Sequence, residues 1–160
     1  MRGSMARRGS TNSVKACLTG SFDPPTLGHL DIIERAKKLP FELVIGIGEN
    51  PEKKAFLPIS KRKKLLEELT GLEVVLIKGL SAVYLKEWGF DWIIRGARNG
   101  SDFEFETTMA KLNKDQTGIE TLILPSYLPA LEGRFIREII RQKGKLTPFL
   151  PKLVIEAVQG

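Results

Sequence analysis

The chain of 160 residues contains one cysteine and one histidine, and each scarcity narrows what it can do. A lone cysteine, Cys17, excludes an internal disulfide and offers no thiolate cluster for a metal, which fits a reducing cytoplasm. No apolar run approaches the roughly 18 residues a membrane span needs, and the N-terminus has no apolar signal core. The phosphate loop G-x-x-x-x-G-K-[ST] is missing, so P-loop chemistry is excluded. "GIGENP" supplies Gly46-x-Gly48 after a strand-like run, but Pro51 stands where a dinucleotide fingerprint needs its third glycine. Small residues in a tightly packed strand are the better reading of that stretch.

What is present describes one globular domain with a real hydrophobic core: 42% of residues are hydrophobic and 28% charged. The formal charge is +6, yet Arg2, Arg7 and Arg8 lie in the Gly/Ser-rich "MRGSMARRGSTNS". Residues 1–13 read as a disordered leader, the "MRGSM" opening as an expression scar with Met5 as the natural start, and 14–160 as the domain. Without those three arginines the charge falls to +3, which suits small phosphorylated ligands at least as well as a polynucleotide. No basic stripe interleaved with aromatics is present, so neither nucleic acid nor a membrane is expected as a partner.

From Val14 the chain alternates β-branched runs with amphipathic stretches. "VKACLTG", "ELVIGIG", "LEVVLIK", "DWIIRG" and "IETLILP" read as strands. Helices are expected from about Gly28 to Lys38, after Ser60 as an N-cap, around "SAVYLKEW", from about Asp102 to Lys114, over "GRFIREIIRQKG" and around "LPKLVIEAV". This alternation predicts an α/β, Rossmann-like domain: a five-stranded parallel sheet with helices on both faces. Ligands in such sheets sit beyond the carboxyl ends of the strands, where "TGSFDPPTLGH", "GENPEKK", "RGARNGSDFE" and "PSYLPALEGR" fall.

The turn after the first strand carries the strongest signal. Gly20 permits close approach to a ligand, Ser21 adds a hydroxyl, and Asp23-Pro24-Pro25 stiffens the bend before Gly28-His29 opens a helix. A helix N-terminus favours an anion, and it pushes a histidine towards the neutral imidazole, which still donates one hydrogen bond.

"GSFDPPTLGH" resembles the G-[ST]-F-D-P-x-T-x-G-H signature of the nucleotidyltransferase superfamily with a T/H-x-G-H motif. "RGARNGSDFEFE" is similar to the R-G-x-R-x-x-x-D-F-E-[YF]-E segment of bacterial phosphopantetheine adenylyltransferases. "ENPEKKAFLPISKR" and "GKLTPFLPKLVIEAV" fit the same family, so the resemblance spans about Val14 to Val158. It implies transfer of the adenylyl group of ATP to 4′-phosphopantetheine, giving dephospho-coenzyme A and pyrophosphate in coenzyme A synthesis. It implies His29 as transition-state stabiliser, Ser21 in contact with both substrates, and the Phe22 amide on ATP. Lys53 and Arg95 would hold the acceptor phosphate. Gly96, Ala97, Arg98 and Glu106 would surround the nucleotide. It further implies Mg²⁺ arriving with ATP and held by phosphates and water, a homo-hexamer, and inhibition by coenzyme A. Asp102 and Asn113 read as a helix cap and a helix-face polar group, and Phe103 and Phe105 as core or interface residues.

Two stretches depart from the family pattern. Where relatives carry I-S-S-[ST]-x-[VI]-[KR]-E, this chain reads "LEGRFIRE", so Glu132-Gly133-Arg134 replaces the serines. Gly133 still presents its amide to the ATP phosphates, and Arg134 is expected to supply the charge that the hydroxyls do not. The helix at "KGLSAVYLKEWGFD" is shorter than usual by about three or four residues, near the wall where Val83 and Tyr84 would meet the pantetheine arm. Two rivals follow from these departures: a related nucleotidyltransferase with another phosphorylated acceptor, and a non-catalytic protein that binds nucleotide or coenzyme A.

Overall fold

A computed structural model describes residues 13–49, 51–128 and 131–160, so residues 1–12 of the expected leader and Asn50 of the N-P-x-K-K loop lie outside it. Five strands alternate with helices: β1 (Val14–Gly20), α1 (Leu27–Ala36), β2 (Phe41–Gly48), α2 (Ile59–Thr70), β3 (Val74–Ile77) and α3 (Ser81–Glu87). There follow β4 (Trp92–Ala97), α4 (Gly100–Thr117), β5 (Glu120–Pro125), α5 (Gly133–Arg141) and α6 (Lys152–Gln159). All strand pairs are parallel and the order is β3-β2-β1-β4-β5. The chain starts in the middle and winds outward in both directions, as the alternation of runs predicts.

Successive side chains of each strand enter different cores, the period-2 rule of a sheet covered on both faces. Ala16, Leu18, Ile45, Ile47 and Ile94 pack against Ile32, Ile33 and Ala36 of α1 and Leu66 of α2. Their neighbours Cys17, Val44 and Ile93 face the other way, onto Ala82 and Leu85 of α3 and Phe90. Burial pushes the Cys17 thiol far above its ordinary range, so it is an inert core side chain. A third cluster joins Leu57 and Leu65 to Ile136 of α5 and Leu146, Leu150 and Val154 of the C-terminal segment. That segment reaches back to the start of α1, where the Leu27 amide donates to the Phe149 carbonyl at 2.8 Å.

The small-residue reading of "GIGENP" holds at Gly46, where an added Cβ would lie 2.6 Å from Ile77 Cδ1 and 2.7 Å from Cys17 Sγ. Some helix starts differ from expectation. Ser60 is not an N-cap: α2 begins at Ile59 behind Pro58, whose carbonyl takes the Lys61 and Arg62 amides. Asp102 is not the start of α4, because Asn99 Oδ1 accepts the Asp102 amide at 2.9 Å and the helix opens at Gly100. Phe103 and Phe105 are not core residues, being 53% and 60% exposed on α4.

Candidate active site

β1 and β4 pair only as far as Leu18 and Ile94, and beyond that point the strands diverge into a crevice. Such a gap between outward-winding halves is where open parallel sheets bind ligands. A cleft of about 290 Å³ opens there, between the β1–α1 turn, the end of β4 and the start of α5.

His29 sits on its wall as the third residue of α1. Thr26 caps that helix: its Oγ1 accepts the His29 amide at 3.2 Å, while the Thr26 amide donates to His29 Nδ1 at 3.0 Å. This is a capping box in which histidine takes the place usually held by Glu or Gln. An Nδ1 that accepts a hydrogen bond carries no proton, so the neutral ring bears its proton on Nε2. Burial, reinforced by the nearby Arg95 and Arg98 cations, lowers the imidazole from 6.5 to about 4. The ring also packs edge-on against Phe22, centroids 4.9 Å apart. At neutral pH His29 is therefore an uncharged, oriented Nε2–H donor on the cleft wall.

The turn beneath it is held from several sides. Phe22 adopts φ 48°, a left-handed conformation rare for a bulky residue, and its ring is buried under Gly20, where any Cβ would come within 3.0 Å of it. The Asp23 carboxylate accepts the amides of Phe56 and Leu57, both at 2.7 Å. Arg62, only 2% exposed, donates to the Leu57 carbonyl at 3.0 Å and to the Ser21 carbonyl at 2.9 Å, and lies 3.4 Å from a Glu49 carboxylate oxygen. Two loops from different strands are thereby fastened together. Ser21 itself is exposed, at the cleft edge.

Across the crevice, Arg95 donates to both carboxylate oxygens of buried Glu106, at 3.0 and 2.9 Å, and to Thr19 O and Oγ1 at 2.8 and 3.1 Å. Arg98 pairs with Asp102, Nε to Oδ2 at 2.7 Å, which raises the guanidinium and lowers the carboxyl relative to their ordinary values. Gly96 lets α1 approach, since a Cβ there would come within 2.9 Å of Ile32 Cδ1. Thus His29, Ser21, Phe22, Arg95, Gly96, Arg98, Glu106 and Gly133 all line one cleft. Glu106 meets any ligand with its carboxylate already engaged by Arg95.

A cytidylyltransferase-like family model matches residues 17–138. The phosphopantetheine adenylyltransferase of Cutibacterium acnes is 39% identical over 91% of this chain and 96% of its own. The enzyme of that name from Streptococcus agalactiae is 42% identical over 91% and 95%, and that of Haemophilus ducreyi 38% over 88% and 92%. The chain belongs to the phosphopantetheine adenylyltransferase family. Among solved structures, a candidate nicotinate-nucleotide adenylyltransferase from Vibrio parahaemolyticus shares the fold at TM-score 0.64, covering 92% of this chain and 99% of that one at 15% identity. A lipopolysaccharide core biosynthesis protein from Thermoplasma volcanium overlaps at TM-score 0.51 and 26% identity, over 71% and 95% of the two chains.

As a phosphopantetheine adenylyltransferase the chain has a second cavity of about 490 Å³, between α3 and α4, joined to the first through Thr19, Arg95 and Glu106. Its wall is mostly apolar, with Leu80, Val83, Phe105, Met109 and Leu112, and carries Asn113 and Gln116. Val83 reaches this wall but Tyr84 does not; the shortened α3 turns Tyr84 into the core, beside Trp88. Thr121 Oγ1 on β5 is buried there with no hydrogen-bond partner among the described residues.

Three expected residues lie elsewhere. Lys53 is exposed in the loop after β2 and Ala97 is buried at the end of β4, and neither lines either cavity. Arg134 is not the cleft cation: it is 70% exposed, 3.0 Å from Glu132 and stacked over Phe135. One helical turn on, Arg137 lines the cleft instead and donates to the Asp23 carbonyl at 3.0 Å. Sequence reasoning missed Arg62, Asp23 as a clamp, Thr26 as the cap of His29, and Arg137. Signals existed for two of these. Thr26-x-x-His29 has capping-box spacing, and Arg62 begins the 62, 65, 66, 69 stripe that otherwise holds leucines.

Proposed function

We propose that this protein transfers the adenylyl group of ATP to 4′-phosphopantetheine, releasing pyrophosphate and dephospho-coenzyme A. The observation that carries the reading is the neutral His29, its Nε2–H fixed on the wall of a cleft that continues into an apolar, amide-competent cavity. The acceptor phosphate is already an anion, so an oxygen of it attacks the α-phosphorus directly, and the bond to pyrophosphate breaks with its electron pair leaving on pyrophosphate. No general base is needed, and catalysis rests on alignment and on donors placed where charge grows. His29 donates to the α-phosphate, while Arg95, held by Glu106 and Thr19, stands at the junction where both substrates meet. The second cavity takes the pantetheine arm, and Ser21 approaches the acceptor phosphate from the cleft edge, with Lys53 reaching it from the loop after β2.

Among the described residues no group of three or more His, Cys, Asp or Glu lies together to hold a metal. The cleft carboxylates Asp23, Asp102 and Glu106 already accept hydrogen bonds from the protein. Mg²⁺ would enter with ATP, carried by phosphates and water, and would supply charge neutralisation to the triphosphate. No helix among the described residues is long and apolar enough to cross a membrane, and a cytoplasmic place fits the reaction. Assembly as a hexamer would cover the exposed apolar residues Phe103, Phe105 and Leu112 of α4.

The test is pyrophosphate release from ATP with phosphopantetheine, beside nicotinate mononucleotide, by the wild type and by His29→Ala. Turnover specific to phosphopantetheine is expected, with a loss of about a hundredfold or more in kcat for His29→Ala. No turnover of phosphopantetheine by the wild type would refute the reading.

A further inference from the structure

We propose that Arg62, which lines neither cavity, is a positioning residue for adenylyl transfer. By gripping the Ser21 carbonyl it keeps the Ser21–Phe22 peptide turned so that the Phe22 N–H faces the phosphates of ATP. This deepens the reading above and rests only on its choice of ATP.

Burying a guanidinium is unfavourable unless its contacts compensate. The carboxylates near Arg62 are poor partners: Asp23 lies 3.9 Å away and half-exposed Glu49 3.4 Å away, and neither makes a two-pronged contact. Its short bonds go instead to two carbonyls, Leu57 at 3.0 Å from Nε and Ser21 at 2.9 Å from Nη1. A tight ion pair therefore does not account for a cation inside the apolar stripe of α2. The orientation of a peptide does.

In a planar trans peptide the C=O and the N–H point in opposite directions. The bond that draws the Ser21 carbonyl towards Arg62 thus sends the Phe22 N–H away from it. Arg62 lies outside the cleft that Ser21 and Phe22 line, so the N–H is aimed into that cleft. Among the described residues nothing accepts it, and an amide of so buried a residue calls for an acceptor, which an anionic oxygen in the cleft would supply.

Phe22 also holds φ 48°, which bulky residues avoid. A half-turn of the Ser21–Phe22 peptide would carry that angle into the ordinary extended region. It would also present the carbonyl to the phosphates, which repels them. The charged donor on Ser21 opposes this relaxation, while Leu57 holds the guanidinium in place from its other side. Arg62 itself touches neither substrate and exchanges no proton.

Ser-Phe occurs once in the chain, so the peptide can be observed alone. In protein labelled with heavy carbon at serine carbonyls and heavy nitrogen in phenylalanine, carbonyl-filtered NMR shows the single amide of Phe22. ATP should shift that signal in the wild type, and adenosine, which has no phosphate, should move it far less. In Arg62→Met, which keeps bulk without donors, calorimetric affinity for ATP should fall about tenfold or more while adenosine binds as before. Arg62→Lys, with the charge but one donor centre, should fall between. Leu85→Ala, a truncation in the core on the other face of the sheet, is the control for lost stability: it should lower the urea midpoint and keep ATP affinity within about twofold.

The proposal is overturned if ATP leaves the Phe22 signal in place, if both Arg62 variants bind ATP within about twofold of wild type, or if adenosine weakens as much as ATP. It falls equally if Leu85→Ala loses ATP affinity in step with stability, or if neither Arg62 variant folds, since Arg62 then serves the fold alone. If the wild type binds ATP but ignores phosphopantetheine, the acceptor reading fails and these measurements still decide the role of Arg62. If the wild type binds no ATP at all, both fall together.

Discussion

Lowering the pH from neutrality should weaken the fold through one residue, His29. Its imidazole titrates at about 4 in the folded chain and at 6.5 when unperturbed. Below 6.5 the unfolded chain therefore binds a proton that the folded chain refuses. Stability from this source is fully present above that value and is lost as the pH falls towards 4. Linkage gives a loss of about 2 kcal/mol by pH 5 and about 3 kcal/mol by pH 4. The structural origin is specific: a proton on Nδ1 would break the bond from the Thr26 amide and place a second charge beside Arg95 and Arg98.

His29→Gln is the control, because glutamine keeps a side-chain acceptor at the capping-box position and does not titrate. Urea unfolding of both proteins at pH 7, 6, 5 and 4 isolates the histidine from every other titrating group. The stability difference should stay level above pH 6.5 and then shift towards the variant as acid is added. Parallel curves would refute the tautomer and burial argument together. The ring is the chain's only imidazole, so its nitrogen NMR shifts are unambiguous, and they should report a protonated Nε2 at pH 7.

Other perturbations are equally direct. Arg62→Ala should destabilise by about 3–5 kcal/mol in urea unfolding, because it strips donors from the Ser21 and Leu57 carbonyls and leaves Asp23 without its neighbouring, buried cation. Gly46→Ala should cost about 1–3 kcal/mol by the same measurement, since Ile77 and Cys17 occupy the space of the new methyl group. Thr121→Val should raise stability by about 1 kcal/mol, removing a buried hydroxyl without a partner. The same change should raise the KM for phosphopantetheine several-fold and leave that for ATP unaltered; an unchanged acceptor KM would mean that the hydroxyl does not meet the arm.

The strands were legible because each is a short apolar run, the central ones buried on both faces, and parallel order follows from the helices between them. Helix starts were less so. At α2 a proline carbonyl and at α4 the Asn99 side chain do the capping, and the more conspicuous Ser60 and Asp102 do not. The cleft residues of the first turn and of Arg95–Glu106 were readable because several chemistry-bearing side chains crowd one short stretch. Arg134 and Arg137 could not be told apart without the helix phase, since three residues of rotation decide which guanidinium lines the cleft. Arg62 is half-hidden in "PISKRKKLL": its run "KRKK" looks solvated, and only the stripe it begins reveals that it is inside.

The strap formed by Asp23 and Arg62 has a consequence for how such enzymes change. It anchors the loop after β2 at Glu49 and again at Phe56 and Leu57, with Lys53 in the interval between the two anchors. That interval is a ready-made cassette. Both of its ends are already fixed to the β1–α1 turn, so a change of sequence within it leaves the geometry of the turn that carries His29 in place.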